Sequence, residues 1–524
     1  MYTPIKEAGL VQKEIVAAID VGSHALRMKI GELKNNGDFR ELENFRRIAA
    51  LGHDTFANSK ISFESADKVC SILKTFKNTM NDYGIKVYKA MATSAIREAS
   101  NREYIVDQIK LKTDLDISVI DNSEEQFLTH KAIKYKLENF DQIIMEGAVI
   151  VVIGAGSIQI TLYKNGQLIS SQNVKMGALR IKEIIGALEN ETLNYNKILD
   201  EYINVNLEGL EIFKREISYQ HFIAVGGEMS SIKKLLSPKD YTSSYQENMN
   251  KSNFTKLLTD ISSKSAEELS VEYSIKKERA EILIPSMMLF NKFLDFIESD
   301  SIIIPNISLN DGIIRDIYED LNKLNKKDKA IADIITNARV IAEKFEYNKE
   351  HSEIVEKNAL ILFDKLKKLH GLENERVLLI CAAILHDIGK FIGIDQHYLH
   401  SYNIICSLEI FGLSKEQIEL VANVSRYHSI QVPEQHQSFK LLSEKDRVLV
   451  SKLVAILKLA NSLDRSHKQK IIIQSVKLKD KELIVRAAAN DKTLLEEWEF
   501  KVNAVFFQEV FGITPILKVK KDIE

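Results

Sequence analysis

The sequence contains few of the residues that mark an exported, cross-linked or membrane-spanning protein. Only six prolines and three cysteines occur among its 524 residues. Because Cys70, Cys381 and Cys406 are scattered without metal-ligand spacing, they are expected to be reduced thiols in the core. A signal peptide needs an apolar core, which is missing from the amino-terminal stretch MYTPIKEAGLVQKE, and no later apolar run approaches the length of a membrane span. These absences predict a cytoplasmic protein that is not associated with a membrane.

The chain also lacks an excess of charge of either sign. Its 71 basic and 74 acidic residues give a formal net charge of -3, and no basic stripe with interleaved aromatic residues is visible. Nucleic acid and anionic membranes are therefore not expected as partners. The hydrophobic fraction of 45% and the charged fraction of 28% are those of an ordinary globular protein, and the length predicts several domains.

The first half of the chain has the pattern of an α/β fold. Short β-branched runs alternate with amphipathic stretches, and one unit, a strand followed by a glycine turn and a second strand, occurs twice. The first copy is AAIDVGSHALRMKI, and the second begins VVIGAGSIQI and continues into an Asn165-Gly166 hairpin turn. This duplication predicts two related α/β lobes that face a cleft. Helical periodicity dominates after the charged stretch 322–330, and strand-like alternation returns near Lys470.

The first of these units places an acid beside a turn that can bind phosphate. Asp20 ends the apolar strand, and the backbone amides of the Gly22-Ser23 turn that follows can point at an anion. Such an arrangement can hold a metal ion and a phosphate together. Strand-Asp-Gly turns are common, so this stretch alone does not indicate a phosphate site. The other motifs in the chain make that interpretation stronger.

Those motifs, in their order along the chain, resemble the motifs of the Ppx/GppA phosphatase family, the exopolyphosphatases and guanosine pentaphosphatases. After the Asp20 turn they are ATSAIREASN, VIDNSEEQF, AVGGEMSSI, ERAEILIPSMML and SLNDGII. The resemblance implies two lobes of the actin-like ATPase (ribonuclease H-like) fold. It assigns the catalytic carboxylate to Glu124, or to Glu125 if the register is shifted by one, and makes Asp20 a second catalytic residue and a metal ligand. The phosphate-binding residues that it implies are Gly22, Ser23, Ser94, Arg97, Gly154, Gly156, Ser157, Gly226 and Gly227.

The second glycine loop departs from the family pattern Asp-Ile-Gly-Gly-Gly-Ser-Thr-Glu. Val152 stands where the family has its metal-side Asp, Ala155 replaces the middle glycine, and Gln159 replaces the water-positioning Glu. Backbone amides need no particular side chain, so the loop can still hold a phosphate. Two explanations compete. Either Asp20 and Glu124 suffice for slow hydrolysis, or the cleft has become a phosphate or nucleotide sensor.

A second group of chemistry-bearing residues lies in the helical half. His351, the pair His386-Asp387 and Asp464 occur in the order of the HD-domain phosphohydrolases, which the third domain of the longer Ppx/GppA proteins resembles. Imidazole and carboxylate groups from separate helices can converge on one divalent ion. The alternative is a helical scaffold with a vestigial ligand set. Further histidines that could hold a second metal ion are His397, His400 and His428. Lys390 and Arg465 could contact phosphate, or they could be exposed cations at the ends of helices.

These inferences combine into a four-part phosphohydrolase. The expected parts are two actin-like lobes at residues 1–135 and 136–320, an all-α HD-like domain at 325–468 and a small α/β module at 469–524. The expected activity is release of the terminal phosphate from inorganic polyphosphate or guanosine pentaphosphate, with Mg²⁺ or Mn²⁺ as cofactor and a further divalent metal ion in the HD-like domain. The alternatives are an HD-type metal-dependent nucleotide phosphohydrolase and a catalytically inactive sensor of polyphosphate or guanosine phosphates. By resemblance the protein is expected to be a homodimer.

Overall fold

The computed structural model describes residues 14–192, 194–210, 212, 218–226, 228–236, 246–322, 327–372, 375–429 and 436–521. The chain divides into two compact units, Met1–Lys327 and Asp328–Glu524. Within the described ranges, no helix combines the length and the apolarity that a bilayer crossing requires.

The strands belong to three sheets. In chain order they are β1 (Glu14–Val21), β2 (Ala25–Leu33), β3 (Phe39–Ile48), β4 (Val87–Ala92), β5 (Ser118–Val119), β6 (Ala148–Ile153), β7 (Ile158–Lys164), β8 (Gln167–Val174), β9 (His221–Gly226), β10 (Gln246–Asn250), β11 (Ser301–Pro305), β12 (Ile471–Lys479), β13 (Glu482–Ala489) and β14 (Thr514–Lys521).

Helices surround these sheets and build most of the second unit. In chain order they are α1 (Leu51–Asn58), α2 (Phe63–Asp82), α3 (Ser94–Glu98), α4 (Arg102–Thr113), α5 (Asn122–Lys136), α6 (Phe140–Glu146), α7 (Ala178–Ile185), α8 (Tyr195–Leu207), α9 (Met229–Leu236), α10 (Lys251–Ile261), α11 (Ala266–Glu272), α12 (Lys277–Leu294), α13 (Leu309–Leu321), α14 (Lys327–Lys344), α15 (Lys349–Lys365), α16 (Lys367–His370), α17 (Arg376–Leu385), α18 (His397–Ser407), α19 (Lys415–Tyr427), α20 (Gln437–Lys440), α21 (Glu444–Ser462) and α22 (Leu494–Phe511).

The first lobe is built on the sheet β3-β2-β1-β4-β5. Its central strand β1 is antiparallel to β2 and parallel to β4, and it is buried from Val16 onward. Successive side chains of a strand point to opposite faces, and here Ala17 and Ile19 pack with α2 and α4, whereas Val16 packs with α5 and α13. Both faces of the sheet are therefore covered by helices.

Helix α13 packs on this first sheet, although the sequence-based boundary at residue 320 assigns it to the second lobe. The contact is close, because a Cβ at Gly312 would lie 2.1 Å from the carbonyl oxygen of Leu128 on α5. Only glycine lets the two helices approach to this distance. Gly312, one of the residues that match a family motif, therefore has a packing role.

The second lobe repeats the arrangement of the first. Its sheet has the order β10-β11-β9-β6-β7-β8, and β6 lies between antiparallel β7 and parallel β9, as β1 lies between β2 and β4. The predicted duplication of a strand–turn–strand unit in an α/β fold is thus confirmed. The predicted hairpin is confirmed as well, since Asn165 and Gly166 have φ values of 52° and 73° between β7 and β8.

The second unit is helical, as expected, and carries the sheet β12-β13-β14 near its carboxyl end. Apolar residues of α15, α17, α19 and α21 form one core, and residues of the terminal sheet and α22, such as Val485 and Phe507, belong to the same core. Within the described residues, the terminal α/β segment therefore shares its core with the helical unit.

Candidate functional site

The two lobes of the first unit enclose a cavity of about 410 Å³ at the ends of their central strands. Of the residues predicted to bind phosphate or metal, those that line it are Asp20, Gly22, Ser23, Ser94, Gly154, Gly156, Ser157 and Gly226. Gly227 lies outside the described residues. The cavity therefore brings together most of the predicted cleft, from motifs that are up to about two hundred residues apart in the chain.

Asp20 lies at the end of β1 and faces Arg27 across the β1–β2 pair. The carboxylate is buried, and Arg27 Nη1 donates a hydrogen bond to its Oδ2 at 3.2 Å. Burial raises the pKa of Asp20 above its usual value, and the guanidinium of Arg27 opposes this change. One oxygen of the predicted metal ligand is thus already engaged by a cation of the protein itself.

Hydroxyl groups link the first turn to the start of α3. Ser23 Oγ lies 2.8 Å from Ser94 Oγ and accepts a hydrogen bond from the backbone amide of Ala95 at 3.0 Å. Both serines are buried at the cavity wall. One hydroxyl donates to the other, so the pair has one remaining proton to donate to an oxyanion in the cavity.

The two adjacent glutamates at the start of α5 have different environments. Glu124 closes a capping box with Asp121, because its carboxylate accepts from the Asp121 amide at 3.0 Å and its own amide donates to Asp121 Oδ1 at 2.8 Å. Glu125 instead lines the cavity and pairs with Arg97 Nη1 at 3.1 Å. Burial raises the pKa of Glu125, the Arg97 guanidinium opposes this, and the nearby Asp20 carboxylate adds to the rise.

Arg97 supports Glu125 and does not itself line the cavity. Its Nη1 also donates to the carbonyl of Ile120 at 2.7 Å, while its Nη2 is buried and has no hydrogen-bond partner among the described residues. A buried guanidinium nitrogen without an acceptor is costly. Because Arg97 does not line the cavity, its role in the site is to hold the Glu125 carboxylate.

Backbone hydrogen bonds and the partly buried Arg180 hold the second glycine loop. The Gly154 amide donates to Ser157 O at 2.9 Å, and Arg180 donates to Gly156 O at 2.7 Å while it pairs with Glu98 at 2.8 Å. A Cβ on Gly177 would lie 2.3 Å from the carbonyl carbon and oxygen of Ala155, so the start of α7 presses directly on the loop. These contacts hold the loop in place, and Gly156 and Ser157 line the cavity.

Val152 and Gln159, the residues in place of the family acids, lie directly opposite each other on β6 and β7. Val152 lines the cavity, and Gln159 is 3% exposed with an Oε1 atom that has no hydrogen-bond partner within the described part of the chain. The two missing acids therefore belong to one cross-strand pair. This pair, of which Val152 lines the cavity, therefore has no carboxylate.

Sequence reasoning did not find the basic wall of the cavity as a binding surface. Arg46 on β3, Arg279 on α12 and His24 in the first turn line it together with Arg27. Both ring nitrogens of His24 and the Nε of Arg46 are buried without a hydrogen-bond partner in the described residues. Burial and neighbouring arginines lower the pKa of His24 to about 4 and of Arg46 to about 10. The concentration of positive charge with unmet donors is typical of an anion site.

A histidine cluster in the second unit brings together residues from four helix ends. His351 lies in the first turn of α15, His386 and Asp387 directly follow α17, His397 begins α18, and His428 follows α19. All except the half-buried His397 are buried. Two trios have ligand atoms that all lie within 4.8 Å of one another, and they share Asp387: His351, His386 and Asp387, and Asp387, His397 and His428.

Asp464, the fourth residue of the predicted metal quartet, lies beside the cluster but in neither trio. Its Oδ2 contacts His351 Nδ1 at 2.8 Å and accepts from Gln469 Nε2 at 3.1 Å, and its Oδ1 accepts from the Gln469 amide at 2.7 Å. Both oxygens are thus engaged, and the carboxylate orients the His351 ring.

Of the remaining residues that the sequence indicated in this region, one contacts the cluster and two do not. Lys390 forms an ion pair with Asp387 Oδ2, whereas Arg465 lies 3.8 Å from Glu499, and His400 belongs to neither trio. A residue that the sequence motifs did not indicate is His467, whose ring stacks on His351 at a centroid distance of 3.6 Å. Its position three residues after Asp464 was the available signal.

Charge in the cluster is arranged to keep Asp387 ionised. Burial alone would raise its pKa, but the histidines and Lys390 hold the pKa well below its usual value of 3.8. Burial lowers the pKa of His386 well below its usual 6.5. The arrangement is a buried carboxylate among imidazole nitrogens, which is a suitable ligand set for a divalent cation.

Comparison with known families matches nearly the whole described chain. A model of the Ppx/GppA phosphatase family matches residues 32–321, and a model of Ppx/GppA phosphatase domain III matches residues 335–504.

Several proteins are similar to the chain at low identity. The guanosine-5'-triphosphate,3'-diphosphate pyrophosphatase of Pseudoalteromonas atlantica is 22% identical over 472 residues, 88% of this chain and 88% of that protein. The protein of the same name from Photobacterium profundum is 20% identical over 428 residues, 80% of this chain and 82% of its own length. The bifunctional 3-dehydroquinate synthase/phosphatase of Fusobacterium nucleatum is 24% identical over 316 residues, 58% of this chain, and the chain spans 46% of that protein's length.

Solved structures extend the similarity to the fold. The Ppx/GppA family member of Aquifex aeolicus has a TM-score of 0.50 and 22% identity and covers 60% of this chain and 99% of its own. An exopolyphosphatase of Cytophaga hutchinsonii has a TM-score of 0.52 and 18% identity and covers 59% of this chain and 98% of its own. At these identities the likeness concerns the fold alone.

Proposed function

The chain belongs to the Ppx/GppA phosphatase family, and from this premise we propose that its cleft hydrolyses the terminal phosphoanhydride bond of inorganic polyphosphate or guanosine pentaphosphate. The full-length relatives named above are pyrophosphatases of guanosine-5'-triphosphate,3'-diphosphate. The observation that carries the proposal is the cavity itself, in which the Glu125 carboxylate faces anion-binding groups from both lobes.

We propose Glu125, in place of Glu124, as the general base. Hydrolysis of a phosphoanhydride needs a water molecule in line with the leaving oxygen and a carboxylate that takes its proton. Glu125 lies in the cavity wall and has a raised pKa, which makes it a stronger base near neutral pH, and Arg97 fixes its orientation. Glu124 is engaged in the helix cap, and its assignment as the catalytic residue stays a prediction.

The groups that would bind the phosphates come from both lobes. On the first lobe, Ser23 and Ser94 offer hydroxyls. On the second, the amides around Gly156 and Ser157 line the same cavity, and Arg279 supplies a positive charge there. These fixed donors would neutralise the phosphate oxygens as the bond to the leaving group breaks.

Members of the family generally depend on a divalent metal ion, and the cleft of this chain fits a resident ion poorly. Of the three acids in its wall, Asp20 is paired with Arg27, Glu125 with Arg97, and Glu228 accepts a hydrogen bond from Ser231, while Val152 offers no ligand. In the described residues, three ligand atoms converge only in the histidine cluster. An ion that arrives on the substrate could still meet Asp20, but a site with several protein ligands is absent from the described cleft.

The histidine cluster favours a second candidate function, a metal-dependent nucleotide phosphohydrolase of HD type in the helical unit. We propose that His351, His386 and Asp387 hold a divalent ion there, because they supply two imidazoles and a carboxylate within 4.8 Å of one another. When bound, the ion would polarise a phosphate oxygen and activate a water molecule. Asp464 would orient His351, as carboxylates orient the ligands of other metal sites.

Phosphate release from long-chain polyphosphate and from guanosine pentaphosphate, with Mg²⁺ or Mn²⁺, tests both candidates. Glu125→Gln should reduce kcat by about 10²- to 10⁴-fold if it is the base. Glu124→Gln is the matched control, since glutamine can also close the capping box from this position and kcat should stay nearly unchanged.

Loss of release with Glu124→Gln and not with Glu125→Gln would overturn the assignment of the base. Loss with His386→Ala alone would move the chemistry to the helical unit. Binding of the same substrates without release by any variant would identify the cleft as a sensor.

A further inference from the structure

The cavity wall contains a third acid, Glu228, for which the proposed mechanism has no role. It lies between β9 and α9 and is 6% exposed. Its Oε2 accepts a hydrogen bond from Ser231 Oγ at 3.1 Å, and that hydroxyl accepts one from Arg279 Nη1 at 3.3 Å. In the described part of the chain, no arginine or lysine forms an ion pair with Glu228, whereas Asp20 and Glu125 each have one. Glu228 is therefore the acid of this wall that is left for a partner outside the protein.

Glu228 and Glu125 belong to different parts of the wall. Glu125 lies at the start of α5 in the first lobe, and Glu228 follows β9 in the second. Burial raises the pKa of both acids, but different cations oppose the rise: Arg97 for Glu125, and Arg279 and Arg46 for Glu228. With the terminal phosphate of a substrate beside Glu125, Glu228 therefore faces the part of the substrate that leaves.

A carboxylate at this point is a poor contact for a substrate that consists only of phosphate groups. Inorganic polyphosphate presents negative charge along its whole length, and like charges that face each other oppose binding. A nucleoside instead has N–H and O–H donors on its base and ribose, and an ionised carboxylate is purely an acceptor. The acid therefore fits a leaving group that contains a nucleoside.

Apolar side chains accompany Glu228 in the cavity wall. Met229 follows it directly, and Ile282 and Phe290 on α12 and Ile304 on β11 line the same cavity. Phosphate groups gain nothing from such contacts, whereas the flat faces of a base and a ribose do. The volume of about 410 Å³ also lies within the range of about 300–1,000 Å³ that is typical of small-molecule sites.

We propose that Glu228 is a specificity-determining residue that selects a nucleoside polyphosphate over inorganic polyphosphate. Its carboxylate accepts hydrogen bonds from the nucleoside and repels a leaving group made of phosphate alone. Arg279 and Arg46, in the same wall, bind the phosphate groups that the nucleotide carries beside its nucleoside. This inference rests on the proposed function of the cleft and decides between its two candidate substrates.

The relative activity on two substrates tests the proposal. Phosphate release from guanosine pentaphosphate and from inorganic tripolyphosphate is measured at about pH 8, well above the usual pKa of a carboxyl group. In the unmodified protein, kcat/KM should be about tenfold or more higher for guanosine pentaphosphate. Glu228→Gln should reduce the ratio of the two kcat/KM values by about tenfold, because glutamine does not repel phosphate and is a weaker acceptor. A purely structural effect would lower both values together and leave their ratio unchanged.

The matched control is Glu281→Gln. Glu281 lies two residues after Arg279 on the same helix, pairs with Lys182 and does not line the cavity. Removing its charge should leave the ratio of the two kcat/KM values unchanged. If Glu228→Gln does not fold, Glu228→Asp keeps the charge on a shorter side chain, so it should weaken release from guanosine pentaphosphate and still disfavour tripolyphosphate.

An unchanged ratio in Glu228→Gln, equal losses on both substrates in Glu228→Asp, or a preference of the unmodified protein for tripolyphosphate would overturn the role of Glu228 and leave hydrolysis by the cleft standing. Absence of release from both substrates would instead refute the proposed hydrolysis. The role of Glu228 is then decided by the same ratio, taken from the dissociation constants of the two compounds measured by isothermal titration calorimetry.

Discussion

Restoring the two missing acids of the second glycine loop should make the first unit dependent on a divalent ion. Val152 and Gln159 are directly opposite each other on antiparallel strands, where Cβ atoms lie about 4.5–5.5 Å apart. In the double variant Val152→Asp, Gln159→Glu, two negative charges roughly 5 Å apart repel by about 3 kcal/mol at an effective dielectric constant of about 20. Gln159 is 3% exposed, so water at this wall weakens the repulsion little.

An ion between the new carboxylates removes this penalty. At a Mg²⁺ concentration 100 times the dissociation constant, binding contributes about 2.7 kcal/mol, nearly the whole of the repulsion. The unfolding entropy of about 2.1 cal/mol/K per residue gives about 1.5 °C per kcal/mol for a unit of this length, Met1–Lys327. The first unit of the variant should therefore melt roughly 4 °C lower in EDTA and recover most of this in Mg²⁺. Differential scanning calorimetry measures both shifts, and Mg²⁺-dependent phosphate release should rise in parallel.

The matched control is Val152→Asn, which adds a polar group at the same position without charge. Neither this variant nor the unmodified protein should show a Mg²⁺-dependent shift of comparable size in the first unit. The reasoning is refuted if the double variant melts at the same temperature with and without Mg²⁺. It is equally refuted if the unmodified protein shows the full shift, because the cleft would then hold an ion without these acids.

Three other perturbations have expected outcomes. Gly177→Ala places a Cβ 2.3 Å from the backbone of Ala155, so it should displace the second glycine loop, cost about 1–3 kcal/mol in thermal unfolding and lower phosphate release. Gly209→Ala, with no heavy atom within 4 Å of its Cβ, should do neither, and equal effects of the two would contradict the packing argument. Burial would raise the pKa of Asp316, but the ammonium groups of Lys131 and Lys89 hold that pKa well below its usual 3.8. The ionised Asp316 carboxylate therefore stabilises the fold above about pH 4, and this stabilisation is lost as the pH falls below that value. Lys131→Met should therefore flatten the acid side of the stability curve of the first unit, measured by urea unfolding between about pH 5 and 2, and an unchanged curve would argue against this ion pair. Chelation by EDTA should lower the melting temperature of the helical unit in the unmodified protein and have no effect in a protein with both His386→Ala and His428→Ala, since only a bound ion gives that stabilisation.

The parts of the fold that could be predicted are those determined by short segments of the sequence. The alternation around Asp20, its second occurrence around Gly154 and the Asn165-Gly166 turn identify both lobes. The packing of α13 on the first sheet depends instead on a close approach between Gly312 and Leu128, which are far apart in sequence. No local pattern reports such a contact.

The two glutamates of α5 differ in a way that the sequence indicates. Asp121 followed three residues later by Glu124 is the sequence pattern of a capping box, which assigns Glu124 to the helix end and leaves Glu125 to face the cavity. The role of Asp464 could not be found in this way. The position of Asp464 in the order of the motifs indicates a metal ligand. Its contact with His351, a residue 113 positions earlier, depends on the packing of the helices and has no local sequence signal.

Three imidazoles of the histidine cluster owe their orientation to their own short segments of chain. His386, His397 and His428 each direct Nδ1 at the carbonyl three residues earlier. The orientation of each ring is therefore determined by a segment of four residues, whereas the distance between the rings is determined by the packing of the helices. Ring orientation and ring spacing can therefore change independently in evolution. Substitutions in the helix core can alter the distances between the rings while the histidines and their orientations stay the same. A four-residue segment of this kind is also a natural piece to transplant when such a cluster is built into another helical protein.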